Sequence, residues 1–209
     1  MPQYKRKYTP YRYNRTRYSR PRTSTFQNYA TMAYDAYKGV KYLKSLVNVE
    51  KHPLDVTVSQ TPENAIGTFS LLNGVAQGDT NITRTGNSVL FTSINLNLKY
   101  TINSAASHTQ IRTILFYDKE CNGATPVIAD ILSSTNILAN YNHDETTRFQ
   151  KLADFMVNLS ISGTQEVSRR VYRKLQKHTR FDGTSAAIGD IVDNALWLFF
   201  LSDEATNRS

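Results

Sequence analysis

The chain has 209 residues, of which 25 are Lys or Arg and 17 are Asp or Glu, giving a formal net charge of +8. That length suits one domain with a sizeable core and needs no second one. Cys121 is the sole cysteine, which excludes an internal disulfide and a cysteine-only metal cage. The longest wholly apolar run, Ala195 to Leu201, is less than half of the about 20 residues that a bilayer span requires, and the amino terminus carries charge where a secretory signal would need an apolar stretch. The reading is a soluble protein that is not visibly secreted and has no membrane partner.

The excess charge is localised. Residues 1 to 24 carry Lys5, Arg6, Lys7, Arg12, Arg15, Arg17, Arg20 and Arg22 with no acid, and the rest of the chain holds as many basic as acidic residues. The same segment has five Tyr, three Pro and almost no aliphatic side chain. It cannot bury enough apolar surface to offset its ordering entropy, which predicts a disordered arm. Arginine offers fork-shaped donors to phosphate, and Tyr4, Tyr8, Tyr11, Tyr13 and Tyr18 can stack on unpaired bases, so the arm reads as a sequence-tolerant nucleic-acid binder. A nuclear-import signal at Lys5-Arg6-Lys7 or a solubilising tail is the plainer alternative, and import can coexist with binding.

Residues 25 to 48 are expected to form an amphipathic helix capped by Ser24 or Thr25. Phe26, Tyr29, Ala33, Ala36, Tyr37, Val40, Leu43 and Val47 recur at three- and four-residue steps. Lys38, Lys41 and Lys44 fall on another face. Such a row is ordinarily a solvated face; following directly on the arm, it is also a candidate contact to the same polyanion.

From residue 49 the period changes to two. Ile94 to Asn103 alternates strictly, and Val89 and Phe91 alternate in the opposite phase, which predicts a bulge near Thr92. Phe155 to Ser162 repeats the pattern. Shorter strand candidates are Asp55 to Gln60, Thr68 to Asn73, Gln110 to Asp118, Val171 to Phe181 and Ala195 to Leu201. The last is apolar on both faces, so both must be covered, by its own domain or by a neighbouring subunit. Val127 to Ala139 permits one or two short helices. Seven or eight strands separated by turn chemistry predict an all-β antiparallel sandwich or jelly roll over residues 49 to 209.

Arg169, Arg170, Arg173, Lys174, Lys177 and Arg180 fall within twelve acid-free residues. As a strand this segment shows Tyr172, Lys174, Gln176, His178 and Arg180 on one face; local helix, with Val171 and Leu175 four apart, is the alternative. The strand is either a charged edge that resists unwanted pairing or a second phosphate-contacting surface. No Gly-rich phosphate loop, Gly-x-Ser-x-Gly elbow, His-Glu-x-x-His or zinc spacing occurs, so no catalytic activity is expected. Cys121 reads as an inert thiol, and His143-Asp144-Glu145 as a polar loop in preference to a metal site.

The stretch Gly74-Val75-Ala76-Gln77-Gly78-Asp79, then Arg84-Thr85-Gly86-Asn87, Gln110 to Asp118, Gly123-Ala124-Thr125-Pro126, Ile131-Leu132 and Ala139-Asn140-Tyr141-Asn142 together resemble the coat proteins of satellite tobacco necrosis virus and its relatives. Similar capsid proteins occur in small circular single-stranded DNA viruses. The match runs from about Gly67 to Ser162 and thins afterwards, with Asp182-Gly183-Thr184 as an anchor. The resemblance implies a single eight-stranded jelly roll that self-assembles into a small icosahedral T=1 shell of about sixty copies, with arm and helix directed at a packaged genome. Its localisation would be the virion, with the host nucleus a way-station during assembly if the import signal operates. About 480 arm charges would then be gathered inside, against one negative charge per nucleotide.

The satellite virus packages RNA, whereas the Tyr–Arg arm looks more like those of the DNA viruses, so single-stranded DNA is the favoured cargo. The resemblance requires no cofactor but implies that calcium can sit at subunit contacts, with Asp79 a candidate acidic group near such a contact and no ligand assigned. The competing reading is a cellular β-sandwich that binds nucleic acid or carbohydrate and carries an import tail.

Overall fold

The structure, a computed structural model, describes residues 25–46, 51–61 and 66–204, with the side chains of the first segment described from 29 to 42. The arm, with its expected disorder and its Lys, Arg and Tyr contacts, lies outside the described residues. The chain divides into two units, one through Lys51 and one from His52. The first contributes helix α1, Thr25–Leu46, as the three- and four-residue spacing predicts. No helix among the described residues is long and apolar enough to cross a membrane.

The second unit is two antiparallel sheets. Strands β1 (Thr68–Leu71), β2 (Ser88–Thr101) and β3 (His108–Asp118) are followed by a short helix α2 (Ile128–Ile131), then β4 (Phe149–Ser160), β5 (Glu166–Phe181), β6 (Ile191–Asp193) and β7 (Ala195–Ser202). One sheet has the order β1-β7-β3-β4 and the other β2-β5-β6. The described residues thus form seven strands, one fewer than the expected eight. Asp55 to Gln60, an expected strand, runs irregularly and joins neither sheet. Val58 alone of that segment packs on the core, while Gln60 Nε2 holds Ser70 Oγ at 3.0 Å. The long link between β3 and β4 contains α2 and a single bridge, Leu132 to Tyr141.

Strand β7 accounts for the core. All eight of its residues are buried, and their parity sorts them onto two faces. Leu196, Leu198 and Phe200 join Ile111, Leu115, Val157, Leu159 and Val171 in one cluster, against which Ile94, Leu96 and Leu98 pack. Ala195, Trp197, Phe199 and Leu201 join Ile114, Phe116, Val75, Ile131, Leu132 and Ile137 in a second. Each fully buried Leu or Phe contributes about 1.5–3 kcal/mol. The chain itself therefore covers both faces of its most apolar strand. The β2–β5 ladder shifts register between Phe91 and Ser93, where the change of phase predicted a bulge. Tyr100 Oη and Thr113 Oγ1, 2.8 Å apart, join β2 to β3 across the first cluster.

Candidate nucleic-acid interface

Of the arm-and-helix candidates, the structure describes those on helix α1. Lys38 and Lys41 are exposed, one turn apart, and Lys38 Nζ lies 4.5 Å from the centroid of Tyr34, four residues back on the same face. Lys44 belongs to the helix, but its side chain lies outside the described residues. Tyr29, Tyr37 and Val40, from the predicted apolar stripe, are exposed, as are Met32, Tyr34 and Tyr42. The helix thus presents aromatic rings and ammonium groups side by side, a combination that can stack on bases and hold phosphates.

The body keeps most of its buried charge for internal fastening. Arg112, 5% exposed, donates from Nε and Nη2 to the two oxygens of Asp154 at 3.1 and 2.8 Å, and from Nη1 to the carbonyls of Ile137 and Ala139 at 3.0 and 2.7 Å. Tyr141 Oη donates to Asp154 Oδ2 at 2.5 Å. Burial disfavours the Asp154 carboxylate, but the donors from Arg112 and Tyr141 outweigh it and hold its pKa below the ordinary value. The result pins the β3–β4 link to the sheet. Arg148 grips Asp118, which is fully buried, through Nε and Nη2 at 2.8 and 2.7 Å.

Arg84, from the Arg84-Thr85-Gly86-Asn87 motif, is another fastener. It is 4% exposed, donates to the carbonyls of Val75, Gly86 and Gly183, and lies 4.2 Å over the Phe181 ring. Gln77 N donates to the Thr184 carbonyl at 2.8 Å, so three separate motif stretches meet at one end of the sandwich. Asn73, with no exposure, donates through Nδ2 to Thr179 Oγ1 and the Asn194 carbonyl and accepts from Leu196 N. These motifs are architecture, not chemistry.

The remaining candidates are plain. Burial pushes the half-buried Cys121 thiol up to about 11, which suits an inert group. His143 and Asp144 are exposed in a turn, and among the described residues no group of three or more His, Cys, Asp or Glu could hold a metal. Asp79 stands exposed, and among the described residues it belongs to no group of three or more His, Cys, Asp or Glu that could hold a metal.

The basic run is strand throughout, and its charges divide. Arg169 and Arg173 turn toward β4: the Arg169 guanidinium lies 4.1 Å over the Phe155 ring, and Arg173 Nε donates to the Leu152 carbonyl at 3.0 Å. Arg170, Tyr172, Lys174, Gln176, His178 and Arg180 are exposed, as the alternation predicts, and Arg169 and Arg173 stay exposed despite these contacts. The sequence gives no hint that Lys99 and Asn97 of β2 share this face, opposite Ser168 and Arg170; only the strand register does.

The family model described as satellite tobacco necrosis virus coat protein matches residues 33–209. Similar proteins include the coat protein of Satellite tobacco necrosis virus 2, 26% identical over 155 residues covering 73% of this chain and 77% of that one. The capsid protein of Satellite tobacco necrosis virus 1 is 25% identical over 169 residues, covering 78% and 85%. The coat protein of Maize white line mosaic Satellite virus is 28% identical over 157 residues, covering 72% and 70%.

Proposed function

Because the chain belongs to the satellite tobacco necrosis virus coat protein family, a family of structural and non-enzymatic capsid proteins of the virion, we propose that it closes into a T=1 shell and packages a single-stranded genome through residues 1 to 24, aided by Lys38, Lys41 and Lys44. One observation carries the reading: the segregation of charge. Eight positive charges without an acid precede a body with as many acids as bases, and among the described residues four ion pairs, Lys99–Glu166, Arg112–Asp154, Arg148–Asp118 and Arg180–Asp193, pair part of the body's charge within the chain. Balanced bodies can pack densely without repulsion while their arms gather positive charge on a polyanion.

The sandwich is read as a jelly roll. Its first and last strands are neighbours in one sheet, and strands distant in sequence pair in the other, as Greek-key connections require. The interleaved tyrosines and arginines favour single-stranded DNA as cargo; the satellite-virus relatives favour RNA as the second reading. Electron microscopy of purified full-length protein, followed by selective DNase and RNase digestion of the disassembled contents, tests both. Closed particles whose nucleic acid yields to DNase are expected. RNase sensitivity would replace the cargo, and a monomer at every salt and pH with nucleic acid present would refute the coat reading in favour of a cellular binding module.

A further inference from the structure

The exposed face of the β2–β5 ladder is flat, polar and basic. Tyr172 stands 56% exposed near its middle, opposite Asn95 of β2. Arg170 and Lys174 flank it on the same face, two residues to either side and so each about 7 Å along the strand. Arg170 Nε donates to Asn97 Oδ1 at 2.9 Å, which ties the guanidinium to its cross-strand neighbour on this face while leaving its Nη donors for a ligand. Beyond Arg170, an open depression is lined by Asn97, Lys99, Ser168, Arg169 and Arg170. The ion-paired acids next to these bases are Glu166, 3.0 Å from Lys99, and Asp193, held by Arg180 at the far end; among the described residues no carboxylate forms an ion pair with Arg170 or Lys174, on either side of Tyr172.

We propose that this face is a second contact for single-stranded nucleic acid, with one base stacked on Tyr172 and neighbouring phosphates held by Arg170 and Lys174. The inference rests on the genome-packaging reading and adds a folded site to the arm. Charge complementarity selects the occupant. A second copy of the same face would set like charges against each other, whereas a polyanion neutralises them. A lone phosphate would not use the ring. A sheet face that alternates an aromatic side chain with cations meets both parts of an extended single strand, its unstacked bases and its regularly spaced phosphates. Asn95 and Asn97 add donors and acceptors without selecting a sequence.

The test uses the full chain with three exposed substitutions, Tyr172→Ala, Arg170→Gln and Lys174→Gln, made singly and together. The readouts are binding to labelled single-stranded dT and rU oligonucleotides across a salt series, and ultraviolet cross-linking with peptide mapping in assembled particles. Tyr172→Ala is expected to weaken binding roughly 5- to 150-fold. The Arg170→Gln/Lys174→Gln pair is expected to lower the slope of log affinity against log salt by about 1.4, two phosphates at about 0.7 each. The Tyr172 peptide should carry a cross-linked nucleotide. An unchanged slope together with no cross-link at this strand overturns the proposal, as does loss of assembly with oligonucleotide binding intact, which makes the face a subunit contact. Reduced retention on a sulfated polysaccharide with unchanged oligonucleotide binding overturns it in favour of an external ligand. Full-length protein that neither assembles nor binds oligonucleotide contradicts the packaging reading itself, a different outcome from particles that package normally without using this face.

Discussion

Replacing Arg112 with methionine removes a cation that is 5% exposed and leaves its partners in place: a carboxylate, two carbonyls and the face of Tyr141, whose ring centroid is 5.5 Å from the guanidinium carbon. Breaking a buried pair from one side costs about 3–5 kcal/mol, because the remaining charge stays desolvated without its partner. Asp154 retains the Tyr141 hydroxyl and 20% exposure, which places the expected loss toward the lower end. At about 2–4 °C per kcal/mol for a body of this size, a loss near the lower figure should lower Tm by about 6–12 °C. Thermal melts of purified protein measure this, and hydrogen exchange should locate the loosening at residues 133–142, which Arg112 fastens through the carbonyls of Ile137 and Ala139. The double variant Arg112→Met/Asp154→Leu removes both charges and should recover much of the loss. A single-variant fall below about 2 °C, or additive effects in the double variant, would refute the claim that this pair clamps the link.

Three further outcomes follow from named contacts. Asp154 has a lowered pKa in the folded chain, so its contribution is complete above the ordinary carboxylate value of about 3.9 and is lost as pH falls through the depressed one; urea midpoints should drop across that acidic window in the wild type and change less in Asp154→Asn. Asn73→Ala strands Leu196 N in a buried site, while the Asn194 carbonyl keeps the Thr179 hydroxyl, and should cost on the order of 1–3 kcal/mol, read by the same urea titration; a loss below about 0.5 kcal/mol would contradict the assignment. Gly67 has φ +66°, and a Cβ there would collide with the Phe199 ring, so Gly67→Ala should lower the midpoint, whereas Gly86→Ala, with open space around it, should not.

The strands that alternate without interruption were legible because period and burial coincide: Ile94 to Tyr100 packs inward at every even position, and the phase change at Phe91 marks an observed register shift. The apolar run of β7 was legible for the opposite reason, since a strand buried on both faces has no polar phase. Val56 and Val58 misled because a short alternation carries no information about a ladder partner, and their segment joins neither sheet. Arg112 was illegible as a clamp. It sits inside the run Gln110 to Asp118, and its partners at 137, 139, 141 and 154 come near only when the link folds over the sheet. The outward side chains of β5 followed from alternation, whereas the turning of Arg169 and Arg173 toward Phe155 and Leu152 depends on the seam with β4. The charge of the arm was read from composition alone.

The nucleic-acid content of purified particles, compared between full-length protein and a variant lacking residues 1 to 24, tests most directly that charge segregation packages the genome. Ultraviolet absorbance across the sedimenting particle peak gives both quantities at once. Particles should form from both proteins, because residues 54 to 201 supply the two clusters that hold the sandwich, and nucleic acid per particle should fall steeply in the truncated form. Equal nucleic-acid content in the two particles would contradict the assignment of packaging to the arm.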